Sequence, residues 1–245
     1  MKQGFVVAAP EVLGFGDRRL AEDLASGEPG QNSCFRLSAA LLMTGQTMAG
    51  YRIYETMRAL DYLQEREEVD GERIGIMGIS GGGLVAGFTA ALDERISSAV
   101  VSGYANTFAA SILTRHHCLD NYIPGILLEA EMPDLLGLIA PRGLFLEVGD
   151  ADPLFGPAAA RQALDRLEQI YAAEGHGGRL AADFSQGVMR FMGNRRMPGC
   201  LSSLPVRRSR VTGSVDDRRN RDVYIRSSKH RLIPQNCGYL HRSMQ

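Results

Sequence analysis

Along residues 1–187, short and densely apolar runs alternate with longer stretches of helical period. The apolar runs fall at residues 4–9, 73–78, 96–102, 143–148 and 179–185. They are rich in Val, Ile, Leu and Phe, as expected of strands buried on both faces of a parallel sheet. Between them, Ile53, Met57, Leu60 and Leu63 predict a core-facing helix over 50–65. Ala160, Ala163, Leu164, Leu167, Ile170 and Tyr171 predict another over 157–174, with Pro157 suited to its first turn. A third helix is expected over 84–92, after a run of three glycines. Alternation of this kind predicts an α/β fold: a mostly parallel sheet flanked by helices. Residues 111–138 lack a clean period and contain Pro124, Gly125, Pro133 and Gly137. They read as an irregular excursion over the carboxyl edge of the sheet, where substrate pockets form.

After Val188 neither period persists. The charge changes at the same point. Residues 1–187 hold 14 Lys and Arg against 25 Asp and Glu, a net −11; residues 188–245 hold 13 against 3, a net +10. The organisation expected is therefore a partial catalytic domain over 1–187 and a basic tail over 188–245 that is disordered or poorly packed. The tail lacks the interleaved aromatics and the fold motif of a nucleic-acid arm. No apolar run reaches the roughly 18 residues of a membrane helix. Residues 4–9 have no basic segment before them, so they read as a strand and not a signal peptide. Of the four cysteines, none forms a C-x-x-C pair, which suits free thiols in a reducing, cytoplasmic setting. His116-His117-Cys118 has no partner cluster and is not read as a metal site.

The chemistry concentrates at Gly78-Ile79-Ser80-Gly81-Gly82. A strand leads in and a helix leads out. This is the nucleophile elbow of a serine hydrolase, in which a strained turn lifts the serine hydroxyl above the sheet. Ser80 is the expected nucleophile, and the Gly81 N–H an expected oxyanion-hole donor. A second donor is not identifiable, because the strand whose loop would provide it does not precede Gly4. Asp152 and Asp150 both follow the strand at 143–148, and loop chemistry alone does not separate them as the acid. The base should follow the strand at 179–185, where the sequence reads Gln186-Gly187-Val188-Met189-Arg190-Phe191 and holds no histidine. His176 precedes that strand, His116 and His117 precede the acid, and His230 and His241 lie in the tail.

Several of these segments resemble one family. Residues 5–19, 71–83, 102–125 and 139–155 and the stretch Glu131-Met132-Pro133-Asp134-Leu135 are similar to the dienelactone-hydrolase and acetyl-xylan-esterase-like branch of the α/β-hydrolases. The most specific are Ser102-Gly103-Tyr104-Ala105-Asn106-Thr107-Phe108 and His117-Cys118-Leu119-Asp120-Asn121-Tyr122-Ile123-Pro124-Gly125. The resemblance covers about residues 4–187. It implies Ser80 as nucleophile and Asp152, not Asp150, as acid, in a metal-free hydrolase of carboxylic esters. His117 matches a family position that is not taken as the base. Family members carry early strands and an oxyanion loop before the segment matching Phe5. They also carry a Gly-Gly-His-x-Phe-x-Gly-like motif after the last strand. Here the match stops at Gly187. Read from the third base of the Gly187 codon, the degenerate codons through Gly193 force Ala and Gly at two places. The others permit Gly, His, Phe and His, so the shifted frame can spell Gly-His-Ala-Phe-His-Gly. A frameshift near Gln186–Gly187 would account for the charge flip and the lost period together.

The expectation is thus an α/β-hydrolase sheet, incomplete at both ends, that cleaves acetyl-type carboxylic esters through an acyl-enzyme and is impaired because the histidine is missing. It needs no cofactor. Its partner is a small-molecule ester, with neither membrane nor nucleic acid. Two other readings stay open: a prolyl-oligopeptidase-type serine peptidase, and an inactive pseudo-hydrolase or binding module with a basic tail. An exposed edge at residues 4–9 leads to an expectation of poor soluble expression.

Overall fold

The computed structural model describes residues 5–28, 30–187 and 223–226. Six parallel strands form one sheet in the order β1-β6-β2-β3-β4-β5. They are β1 (Val6–Ala8), β2 (Ile74–Ile79), β3 (Ile96–Ser102), β4 (Gly143–Gly149), β5 (Leu180–Ser185) and β6 (Val223–Arg226). Helices α1 (Ala21–Ala25), α2 (Cys34–Met43) and α3 (Met48–Gln64) lie between β1 and β2 in the chain, and α4 (Gly81–Leu92) between β2 and β3. α5 (Ile126–Glu129) and α6 (Met132–Gly137) come before β4, and α7 (Pro157–Ala173) before β5. This is the α/β architecture that the alternation of periods predicts.

Every residue of β4 is buried, as suits a strand covered on both faces. β5 at one edge is only half-buried throughout. The core runs across the sheet and onto the helices through Leu60, Ile76, Leu84, Phe88, Val101, Leu136, Leu146 and Leu167. α4 is covered all round: residues 82–90 are all buried. That explains an apolar composition with no polar face. On α3 and α7 the predicted stripes face inward, with Ile53, Leu60, Leu63, Ala160, Ala163, Leu167 and Tyr171 buried.

Four differences from the sequence reading have physical causes. α4 begins at Gly81 and not at Leu84, because its glycines are part of the helix and allow it to approach the sheet closely. α2 was not foreseen. Its buried residues are Cys34 and Ser38 and its Leu37, Leu41 and Leu42 are half-buried, while Phe35 and Met43 are 61% and 89% exposed and blur the amphipathic pattern. The excursion over 111–138 contains α5 and α6, and α6 opens on a capping box between Glu131 and Asp134. β6 comes from the basic segment and lies between β1 and β2. Val223-Tyr224-Ile225 is strand-prone but too short to stand out between charged neighbours. The rest of the tail, and with it the expectation of disorder over 188–245, lies outside the described residues. No helix among the described residues is long and apolar enough to cross a membrane.

A buried ion pair ties α3 to the excursion. Arg52 and Asp120 are 4% and 7% exposed, and the Arg52 Nη1 donates to Asp120 Oδ2. Arg52 also donates to the Leu13 carbonyl at 2.7 and 3.1 Å and to Cys34 Sγ at 3.1 Å. Burial alone would lower its pKa, but the charge of Asp120 and the Cys34 contact hold it above the usual arginine value. Asp120→Ala leaves a buried guanidinium without its counter-ion. The expected cost is about 3–5 kcal/mol, read as a lower urea midpoint at unchanged slope. A midpoint like that of the parent protein would show that the pair carries no stability.

Candidate active site

Ser80 stands between the end of β2 and the first residue of α4, with φ 55° and ψ −124°. Among the described residues it is the one non-glycine at positive φ. Its own backbone shows what holds the turn. The Ser80 N–H donates to the Ser102 carbonyl at 2.8 Å, and the Ser80 carbonyl accepts from Gly83 at 2.6 Å and Leu84 at 3.1 Å. The glycines before and after it are required sterically. A Cβ on Gly78 would sit 1.9 Å from the Gly82 carbonyl oxygen, and one on Gly83 2.8 Å from Tyr104 Cβ. A Cβ on Gly81 would meet nothing within 4 Å. Gly81 is the first residue of α4, so its N–H is one of those a helix start leaves without an intrahelical acceptor.

β2, β3 and β4 are neighbours, so the elbow and the loop after β4 share one edge of the sheet. In that loop the two candidate acids are placed differently. Asp150 Oδ1 accepts the Gly187 N–H at 2.7 Å, and Asp150 is exposed. Asp152 is 5% exposed; its Oδ1 accepts the N–H groups of Leu154 at 2.8 Å and Phe155 at 3.0 Å. Asp152 Oδ2 is buried and has no hydrogen-bond partner among the described residues. The chain leaving β5 is held against this loop. Asp150 N–H donates to the Ser185 carbonyl at 3.0 Å and Ala151 N–H to the Gly187 carbonyl at 3.1 Å.

Aromatic rings run between the elbow helix and the acid loop. Phe88 of α4 meets Tyr104 edge-on at 6.2 Å, and Tyr104 lies 5.0 Å from Phe155. His117 closes the row, 5.4 Å from Phe155. Burial raises the Tyr104 phenol well above its ordinary value, and the charge of Asp120 adds to the shift. His117 lies below the usual imidazole range, chiefly through burial; the Ser111 carbonyl, Asp120 and Asp152 pull the other way. The structure therefore brings His117 to the acid loop, which sequence order did not anticipate. No local pattern in the chain marks this, since the segment is anchored by the pairing of Asp120 with the distant Arg52. His176 caps a short turn before β5, and His230 and His241 fall outside the described residues. An apolar hollow of about 430 Å³ lies under the excursion, lined by Phe108, Ile112, Tyr122, Ile126 and Leu128 among others. Neither Ser80 nor Asp152 is among its lining residues, so it is not the expected pocket over the nucleophile.

The prolyl oligopeptidase family matches residues 42–119, which span α3, β2, the elbow, α4 and β3 but stop short of the acid loop. The chain is 33% identical over 177 residues to "Putative hydrolase YtaP" of Bacillus subtilis (strain 168), covering 70% of this chain and 55% of that protein. It thus spans about half the length of the curated relative it matches. Among solved structures it is similar to "a putative acetyl xylan esterase" from Bacteroides fragilis NCTC 9343, with a TM-score of 0.58 at 20% identity, covering 69% of this chain and 44% of that one. It is also similar to a glucuronoyl esterase from Caldicellulosiruptor kristjansonii, with a TM-score of 0.51 at 16% identity, covering 76% and 63%. At these identities the solved structures show the fold.

The strain at Ser80 has a measurable consequence. A non-glycine residue in a sparsely populated conformation costs about 1–3 kcal/mol. Ser80→Gly removes that strain, whereas Ser80→Ala removes the hydroxyl and keeps it. By calorimetry, the glycine variant is expected to melt about 2–4 °C above the alanine variant. Equal melting temperatures would mean that the turn stores no strain.

Proposed function

We propose that this chain, an α/β-hydrolase in its sheet and its elbow, is built as a serine hydrolase of carboxylic esters. Ser80 Oγ attacks the ester carbonyl and forms an acyl-enzyme, which water then cleaves. The Gly81 N–H helps to hold the oxyanion. Asp152 orients a histidine that takes the proton from Ser80 and returns it to the leaving alcohol. The observation that carries this reading is the pairing of a strained Ser80 with a buried Asp152 whose Oδ2 has no partner among the described residues. They follow β2 and β4, which are separated in the sheet by β3 alone, so both stand at the carboxyl ends of near-neighbouring strands. Asp150 is the weaker candidate, since its carboxylate already holds Gly187.

The base belongs just after Gly187, whose carbonyl is bonded one residue from Asp152. In the shifted frame Gly and His can fall at positions 188 and 189. The chain as written places Val188 and Met189 there, so its hydrolysis should be slow. The substrate is a small-molecule ester. The activity is assigned to the cytoplasm, as suits four cysteines with no C-x-x-C pair. The prolyl oligopeptidase match favours a second reading, peptide cleavage by the same Ser80 and Asp152.

Two measurements test the proposal. A fluorophosphonate should label Ser80 much faster in Val188→Gly/Met189→His than in the parent protein, and should leave the same variant carrying Ser80→Ala unlabelled. Val188→Gly with Met189→His should raise kcat for 4-nitrophenyl acetate by at least about 100-fold, since loss of a triad base costs up to about 10⁶ in a well-studied serine hydrolase. No labelling and no gain would leave a binding module. A gain confined to short peptides would select the peptidase.

A further inference from the structure

The residues that leave β3 touch both halves of the site. The Ser102 carbonyl accepts the Ser80 N–H at 2.8 Å, which ties this stretch to the elbow. One residue on, the Gly103 N–H donates to the Glu147 carbonyl of β4 at 2.8 Å. Tyr104 is buried against Gly83, and its ring lies 5.0 Å from that of Phe155 in the acid loop. Asn106 completes the bridge. It is fully buried, and its Nδ2 donates to the Gly156 carbonyl at 3.0 Å. Its Oδ1 accepts the Thr107 N–H at 3.0 Å, so both ends of the amide are engaged.

Gly156 ends the acid loop and caps α7. Its carbonyl also accepts the Ala160 N–H at 3.1 Å, so it does not need Asn106 to be satisfied. What the amide adds is location. Four residues earlier, Asp152 Oδ1 holds the Leu154 and Phe155 N–H groups, and the Asp152 N–H donates to the Gly149 carbonyl at 3.2 Å. The turn that carries the acid is thus tied to β4 at one end and, through Asn106, to the loop after β3 at the other. That loop begins at the residue whose carbonyl holds Ser80. We propose that Asn106 is a positioning residue: it registers the acid loop against the elbow, so that Asp152 Oδ2 stands where an imidazole serving Ser80 would donate. This rests on the ester-hydrolase reading of the site. Asn106 acts through Asp152 and not on the substrate.

The test is made in the full-length chain carrying Val188→Gly and Met189→His, and its first readout needs no turnover. The pKa of the introduced imidazole is followed by NMR. A carboxylate facing the ring raises that pKa, and Asp152→Asn gives the value without one. Asp150, the other acid beside Gly187, stays in every variant. Asn106→Ser keeps a short acceptor for the Thr107 N–H but does not reach Gly156. It should move the pKa at least halfway to the Asp152→Asn value. The acidic limb of the kcat/KM profile for 4-nitrophenyl acetate should move to lower pH with it, since the base then loses its proton more easily. At the same time kcat should fall about tenfold to 100-fold, with KM changed less than about twofold. Asn106→Gln, which keeps the donor, should retain most of the pKa and of the rate, and it guards against a variant that fails to fold. An imidazole pKa that is indifferent to Asn106→Ser overturns the proposal. So does a fall in rate and melting temperature with the pKa unmoved, which is the signature of a merely structural residue. Turnover reports separately on the hydrolase reading. A pKa that responds to Asn106→Ser in a chain that cleaves no ester keeps the positioning role and removes hydrolysis. Cleavage with an indifferent pKa does the reverse.

Discussion

The first turn of α4 lies so close to the end of β2 that no side chain fits between them. A Cβ on Gly78 would come within 1.9 Å of the Gly82 carbonyl oxygen. This one contact sets the direction in which α4 leaves the sheet, and it forces Ser80 to positive φ. It also explains the helix. α4 is buried along residues 82–90 because it enters over the middle of the sheet, with β3 behind it and α6 across it. Gly83 against Tyr104 and Gly87 against Leu136 extend the close approach, with Cβ positions at 2.8 and 2.6 Å from those side chains. A strained serine is stable here because the surrounding packing overdetermines it.

The second constraint is electrostatic. Arg52 and Asp120 are buried, and they fasten an otherwise irregular segment to α3. The stretch from Ser111 to Asn121 is otherwise fixed by Ile112 in the core, a turn at Leu119–Asn121 and a few hydrogen bonds. With the ion pair in place, His117 is held against Phe155, and the aromatic row to Tyr104 and Phe88 is complete. A buried pair is poor value as pure stabilisation, since desolvation offsets most of the attraction. Its use here is positional: it decides where a histidine stands.

The sheet, α3, α7 and the elbow were legible in the sequence because each depends on local pattern. Residues 96–102 gave β3 to the residue, and the stripe from Ala160 to Tyr171 gave α7. What stayed hidden depends on partners far away in the chain. Cys34 and Ser38 turn inward because Arg52 and the Asp120 turn wait for them there, while Phe35 and Met43 face outward. No periodicity shows that. Asp150 and Asp152 could not be separated by loop chemistry, because the difference between them is made by Gly187, thirty-odd residues on. His117 was set aside on sequence order. Sequence order does not constrain a ring that reaches the acid loop from an anchored excursion.

Asp152 draws these threads together. A carboxylate at 5% exposure that satisfies only one oxygen is an expensive residue to keep. Its two N–H bonds from Leu154 and Phe155 shape the turn, and an asparagine would accept them as well. The second oxygen has no structural task among the described residues. It makes sense only opposite a donor that becomes cationic, for which a carboxylate is worth far more than an amide. The loop beyond β5 is bonded to the neighbouring residues Asp150 and Ala151, so that donor would enter from the segment that follows Gly187. On the proposed reading, the strained hydroxyl of Ser80 and the buried charge of Asp152 are the two ends of a proton relay, and the residue between them would decide whether an ester is turned over or only bound.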